Sequence, residues 1–300
     1  MIRTVTDVAA LVLNYNTPAM TIKCVNNLLT VSDELRIIVV DNHSPDCSLQ
    51  EFHDQYNNNN RISIVENAYN GGYAQGNNTG IKYIRENLPN IRFVIILNPD
   101  IIIESEETIL TLREELEKRE EYAIASCNII LNNQPICIAD FAWKFPDYKH
   151  LFWAGTFLGQ FLIDNPNNIY ESLAGQDNVA EVDVVSGCFF IAKLEELRKA
   201  GDFDERTFLY FEESILAKRL AQNNKQEIVV LTEQVKHNHQ KKDTELKNIK
   251  KRAFDRRCFH DSKMIYIENY SDMRGILLAL CKAINWFDIT FKEIIWKGIG

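Results

Sequence analysis

Five unbroken apolar residues, Phe93 to Leu97, run directly into Asn98-Pro99-Asp100, and this junction constrains the fold more than any other stretch of the chain. Three of the five are β-branched, which suits a strand buried on both faces of a parallel sheet. Such sheets place ligand chemistry just beyond the carboxyl ends of their strands. Pro99 fixes its own backbone and drives Asn98 toward an extended conformation, so the strand stops with Asn98 and Asp100 on a stiff loop. An ordinary Asn-Pro-Asp turn would read the same way.

The pattern recurs. Val8–Leu13 is an apolar run entering Asn14-Tyr15-Asn16, after which Thr17-Pro18 reads as an N-cap with proline at the first helical position. The helix expected from Pro18 to about Val31 puts Ile22, Val25 and Leu29 on one face. Arg36–Val40 is a second buried strand ending in Asp41, and Ile62–Val65 a third. A carboxylate at a strand tip can accept from the hydroxyls of a ribose, although it also makes Asx-turns.

After the third strand comes Asn67-Ala68-Tyr69-Asn70-Gly71-Gly72-Tyr73, then Gln75-Gly76-Asn77-Asn78. Glycines permit close backbone approach, and a helix opening near Tyr73 would aim free N–H groups at a diphosphate. Without the spacing of a P-loop or a dinucleotide fingerprint, a plain glycine turn before a helix fits equally. Ser105 caps a helix running to about Arg119, Ala123–Leu131 is another strand, and the alternation implies an α/β domain with a mainly parallel sheet.

Residues 132–180 lose this regularity and gather Phe141, Trp143, Phe145, Tyr148, Phe152, Trp153, Phe157 and Phe161. Such rings either line an acceptor pocket or pack the insertion onto the domain. Val182–Ala192 is a strand pattern broken at Ser186-Gly187-Cys188, with Asp183 a candidate polar contact. Glu212 and Glu213 then open a helix, where one carboxylate can serve as a cap and the other as a base. Ile228–Leu231 is expected as the last core strand, with His237 and His239 beyond it.

Charge divides the 300-residue chain. The net charge of -9 includes a balance of +6 over residues 236–263, where ten Lys or Arg face four acids. An acidic body with a short basic neck excludes general nucleic-acid binding and suits an anionic membrane surface. Seven scattered cysteines without a CxxC pair, and no secretory signal, lead to an expectation of reduced thiols in the cytoplasm, with the inner face of the plasma membrane open. From Met273 to Ile295 apolar residues follow a helical period, with Trp286 and Trp296 nearby; this helix would lie on a membrane, on the catalytic domain or on a second subunit.

Taken in order, Val39-Val40-Asp41-Asn42, Asn70-Gly71-Gly72-Tyr73 with Asn77-Asn78, Leu97-Asn98-Pro99-Asp100, Val185-Ser186-Gly187, Phe203-Asp204-Glu205, Tyr210-Phe211-Glu212-Glu213 and His237 resemble the inverting glycosyltransferases of family 2, and most closely their rhamnosyltransferase-like branch. The resemblance covers residues 6–240. It implies an α/β, GT-A type Rossmann-like domain over residues 1–240, leaving 241–300 as a basic neck and amphipathic helical tail. It also implies a nucleotide-sugar donor, dTDP-rhamnose-like or a UDP-sugar, and a glycan or lipid-linked acceptor in cell-surface polysaccharide synthesis; a homodimer is left open.

Residue by residue, Asp41 would hold the nucleoside, and Asn14, Asn70, Gly72, Tyr73, Asn77 and Asn98 would flank the donor. Asp100 would bind Mg²⁺ or Mn²⁺, with His237 as the metal-side histidine and His239 as its alternative. Glu213 stands where the family's base is commonly aspartate. Glu212, Gly187 and Asp204 would contact the acceptor or support the base. A non-catalytic sugar-nucleotide-binding scaffold is the alternative. A nucleotidyltransferase is disfavoured because no basic glycine-rich loop lies near the N-terminus.

Overall fold

The apolar runs of the N-terminal half lie side by side. In the computed structural model, which describes residues 3–134, 136–173, 177–238 and 249–299, β1 (Val8–Asn14), β2 (Arg36–Asp41), β3 (Ile62–Glu66) and β4 (Phe93–Leu97) pair in parallel in the order β3-β2-β1-β4. Helices α1 (Pro18–Val31), α2 (Ser48–Tyr56) and α3 (Gly72–Asn87) make the crossovers. Strands β1, β2 and β4 are almost wholly buried, as their lack of alternation demands. Thr17 does not cap α1 with its side chain; its hydroxyl donates instead to Asn14 Oδ1 at 3.2 Å, leaving Pro18 to set the helix start.

Beyond β4, a two-residue strand β5 (Ile101–Ile102) leads to α4 (Glu106–Lys118), where Ser105 caps by accepting from Glu107 N, and then to β6 (Tyr122–Leu131). The aromatic segment is more ordered than its composition suggests. It forms β7 (Ala142–Lys144), α5 (Tyr148–Trp153), α6 (Gly159–Leu162) and β8 (Asn168–Ile169), and β7 joins β8 and the later β10 in a small second sheet. After β9 (Val179–Val182) and β10 (Val184–Val185), β11 (Phe189–Lys193) enters the main sheet antiparallel between β4 and β6. Helices α7 (Leu194–Ala200) and α8 (Glu212–Gln222) precede β12 (Gln226–His237), which is parallel to β6.

This topology gathers polar residues at one edge. Asn14, Asp41 and Asn98 stand at or just past the carboxyl ends of parallel strands. Because β11 runs the opposite way, with Phe189 opposite Leu97, the Gly187-Cys188 step before it arrives at that same edge. Strand β12 extends well past the expected Leu231: a register shift between Val230 and Gln234 absorbs the polar Thr232-Glu233, and pairing resumes as far as His237, which lies opposite Ile101 of β5. His237 is therefore the last residue of a strand rather than part of a loop.

Two C-terminal helices, α9 (Ile249–Tyr270) and α10 (Gly275–Ile299), complete the chain. They share an apolar cluster with the α/β body, in which Tyr266, Ile267, Met273 and Cys281 pack on Leu151 of α5 and Ile215 of α8. Among the described residues, no helix is long and apolar enough to cross a membrane.

Candidate active site

Asp100 and His237 meet because β5 pairs with β12. His237 Nε2 lies 3.1 Å from Asp100 Oδ1, both side chains are mostly buried, and Asn238 N donates to Asp100 O at 2.9 Å to close the corner. Burial opposes charge on His237, but the Asp100 carboxylate and the Cys188 thiol outweigh it and push the imidazole up to about 10. An oxygen and a nitrogen donor at this spacing can share one divalent ion. Among the described residues no three His, Cys, Asp or Glu side chains are grouped so as to hold a metal by themselves, so the pair fits an ion whose other positions a ligand fills. His239 lies outside the described residues.

A cleft of about 370 Å³ runs from this corner to the start of α8. Asn98, Cys188 and His237 line one side, with Gly187, Glu212 and Glu213 at its floor. Gly187 joins two partners here: its N–H donates to Glu213 Oε1 at 3.2 Å, and its carbonyl accepts from Tyr73 Oη at 2.6 Å. Burial raises Glu213 above the ordinary glutamate range, against the lowering effect of the backbone amides it accepts from. Glu212 is raised further, by deeper burial and then by the charge of Glu213, and its Oε2 has no hydrogen-bond partner. Burial raises both adjacent carboxyls, and Glu213 is the one that accepts from the Gly187 amide.

The backbone before this pair is strained into place. Tyr210 and Phe211 are consecutive non-glycine residues at φ 73° and 64°, a conformation that costs energy unless its surroundings enforce it. Helix α9 supplies that enforcement. Phe259 stacks edgewise on both rings at 5.6 and 5.4 Å, and Ser262 Oγ donates to Leu209 O at 2.8 Å.

The residues expected around a donor form a connected brace. Asp41 accepts from Asn14 Nδ2 at 2.8 Å and from the Ser44 hydroxyl and amide at 2.7 and 2.9 Å, so its carboxylate already closes an Asx-type turn. Asn42 links to Asn70, Gly72 O and Asn67. Two amides of the first turn of α3 are already engaged: Gly72 N donates to Asn70 Oδ1 and Tyr73 N to Phe208 O. Gly72, at φ +85°, lies so close to Phe208 that a Cβ would stand 2.1 Å from its carbonyl oxygen. Asn77 is buried and bonds Tyr73 O, while Asn78 holds Phe203 through both its amide atoms. The glycine-rich segment thus grips the 203–208 loop.

Asp204 is absent from the cleft lining. It bonds Arg206 and Tyr270 Oη, the latter at 2.7 Å, so its role is to tie the loop to α9. Asp183 likewise serves structure, accepting from Phe145 N at 2.9 Å. Sequence reasoning missed Phe259, His150 and Ala154 on the cleft wall. The aromatic insertion was a signal for the last two, whereas Phe259 sits in a stretch whose charge obscured its ring.

Comparison with known proteins follows the same outline. Residues 10–149 match the model of glycosyl transferase family 2. The fold is GT-A-like. Over 224 residues the chain is 26% identical to the low-salt glycan biosynthesis hexosyltransferase Agl10 of Haloferax volcanii, which covers 73% of this chain and 62% of that protein. The mannosyltransferase PcManGT of Pyrobaculum calidifontis, solved with GDP-Man and Mn²⁺, superposes with a TM-score of 0.57 at 16% identity, covering 93% of this chain and 69% of the other. TarS 1-349 of S. aureus with UDP-GlcNAc gives 0.55 at 14% identity, covering 95% and 73%. The neighbours share the GT-A-like fold, the family 2 model matches residues 10–149, and the curated relative is a hexosyltransferase.

Proposed function

We propose that this protein is an inverting, metal-assisted glycosyltransferase that moves a sugar from a nucleoside diphosphate, dTDP-rhamnose-like or UDP-linked, to a hydroxyl of a glycan or lipid-linked acceptor in surface-polysaccharide synthesis. The observation that carries this reading is the Glu213 carboxylate, held on the Gly187 amide in a cleft that is also lined by His237, the partner of Asp100. A single inverting displacement needs one base on the acceptor side, and Glu213 is the group available to take the hydroxyl proton. Gly187 N–H fixes one of its oxygens, which leaves the other to receive that proton.

Asp100 and His237 would hold Mg²⁺ or Mn²⁺, which when bound neutralises charge on the departing diphosphate. Asn98 carries no charge, so the corner's affinity for an ion is expected to depend on the nucleotide that completes it. Tyr73 braces the Gly187 carbonyl and keeps the amide aimed at Glu213. Aromatic rings on the cleft wall, Trp143 and Phe259, offer flat faces for a sugar. The sugar-nucleotide complexes of the mannosyltransferase and of TarS support the donor class.

The test is Glu213→Gln, which keeps size and hydrogen bonding but cannot accept a proton. Turnover should fall roughly 10²-fold or more, with donor affinity in Mn²⁺ nearly unchanged. Transfer at the parental rate by this variant would reject Glu213 as the base.

A further inference from the structure

Helix α10 presents the wrong face to water. Toward α9 and α5 it turns Cys281, Asn285 and Asp288, all buried. Asn285 Oδ1 bonds His260 Nδ1 at 2.7 Å, and Asp288 takes the Phe157 amide at 2.6 Å and pairs with Arg256. The outward stripe is Ile276, Leu280, Ala283, Phe287 and Phe291, spaced as one helical face, with Trp286 beside it. Ile276 is 79% exposed, Trp286 68% and Phe287 64%. No charge interrupts the stripe: Lys282 is drawn aside to Glu268 at 2.6 Å, and Asp288 lies on the opposite face. Ile294, Ile295 and Trp296 have side chains outside the described residues.

A second segment extends this surface. The tip after α5 exposes Phe157, Leu158, Phe161 and Leu162, with Phe161 71% accessible and its ring 5.8 Å from that of Phe157. The tip joins α10 directly, since Phe157 N bonds Asp288 and Lys292 Nζ sits 5.6 Å over the Phe157 ring. Two separate stretches of sequence thus expose large apolar side chains, the tip meeting α10 at Asp288 and Lys292, beside rather than on the stripe, and together they are more than isolated surface residues would explain.

The rim is basic. The Arg256–Asp288 pair places the first turns of α9, with exposed Lys250 and Arg252, beside the second half of α10 and Lys292. Burial lowers the Lys292 ammonium first, and the nearby guanidinium groups of Arg256 and Arg252 add to this against the opposing Asp288 carboxylate. An anionic bilayer complements both parts at once, taking the rings among its acyl chains and the rim among its headgroups.

We propose that the exposed face of α10 and the Phe157–Leu162 tip form one surface that rests in the interface of an anionic lipid bilayer and holds the cleft over a lipid-linked acceptor. The acceptor half of this statement rests on the glycosyltransferase reading; the docking surface does not. The link is short, because His150 and Ala154 of the α5 segment line the cleft and the same segment runs straight into the tip.

Co-sedimentation of the full chain with vesicles of equimolar phosphatidylcholine and phosphatidylglycerol tests the surface. Binding should be strong, should weaken with salt and should be much reduced on phosphatidylcholine alone. Phe287→Glu and Phe161→Glu should each weaken it about tenfold or more. Phe161 lies on an exposed tip, so its variant reports on the surface even if Phe287→Glu perturbs the helix. Absence of binding to the anionic vesicles, or unchanged binding by Phe161→Glu, would overturn the proposal. So would light scattering that finds a dimer converted to monomer by Phe287→Glu, since a second copy would then occupy the face. Thermal shift with dTDP-rhamnose, UDP-sugars and Mn²⁺ on the same samples separates the two claims: donor binding without vesicle binding rejects the surface alone, and vesicle binding without binding of any of these donors rejects the lipid-linked acceptor.

Discussion

Gly187→Ala isolates the geometry on which the assignment of a base depends. A Cβ at this position would stand 2.7 Å from Glu213 Oε1 and 2.9 Å from Tyr73 Oη. Ordinary van der Waals contact begins near 3.4 Å, so the carboxylate must retreat by about 0.7 Å or the backbone must move. Either response loosens the 3.2 Å bond from Gly187 N. Overpacking of this kind costs roughly 1–3 kcal/mol of stability, and a base displaced by that distance should lose about 10- to 100-fold in turnover.

Steady-state kinetics with saturating donor would show the fall in kcat, while donor affinity by calorimetry stays close to the parent, because Asp100 and His237 are untouched. The decisive comparison is a double-mutant cycle. If Gly187→Ala acts only through Glu213, adding it to Glu213→Gln should cost little further turnover. Full additivity of the two losses, or a Gly187→Ala variant at the parental rate, would refute the idea that this glycine positions the base.

Four further outcomes follow from the same contacts. Glu213 must be ionised to act, and burial raises it, so the acid limb of the kcat profile should lie above the usual glutamate value of about 4.3 and activity should fall as pH drops through that limb. Gly72→Ala forces a left-handed residue against the Phe208 carbonyl and should destabilise the chain by at least about 2 kcal/mol, read as a lowered urea midpoint. Asp204 is held below the ordinary carboxylate range: burial opposes its charge, but bonds from Arg206 and Tyr270 and the nearby Arg219 outweigh it. The parent's stability advantage over Asp204→Asn should therefore be complete at neutral pH and shrink below about pH 4, as measured by denaturation at a series of pH values. Asp100→Ala should abolish the Mn²⁺-dependent part of donor binding in thermal shift, and should also lower the unliganded melting temperature, because it leaves the mostly buried His237 without its carboxylate partner.

Much of this protein was legible one segment at a time. Buried strands announce themselves by unbroken β-branched runs, and Phe93–Leu97 stops at Asn98 because Pro99 makes it stop. The alternation of such runs with helical periods implied a parallel α/β sheet, and the polar residues at their ends implied where a site would stand. These are local properties, carried by residues within a few positions of one another.

What required the tertiary structure involves residues far apart in the chain. Only the antiparallel entry of β11 brings Gly187 to the edge already occupied by Asn98, and only the shifted register of β12 carries His237 to Asp100. The left-handed Tyr210-Phe211 step has no signature in its own residues, because the rings of α9 that hold it arrive some fifty positions later. The Tyr73 amide at the start of α3 looked open to an anion until Phe208 of the 203–208 loop arrived to accept from it. Periodicity marked α10 as amphipathic but could not say which face would turn inward; that was decided by His260, Arg256 and the Phe157 amide, which satisfy Asn285 and Asp288 and leave the apolar stripe outside.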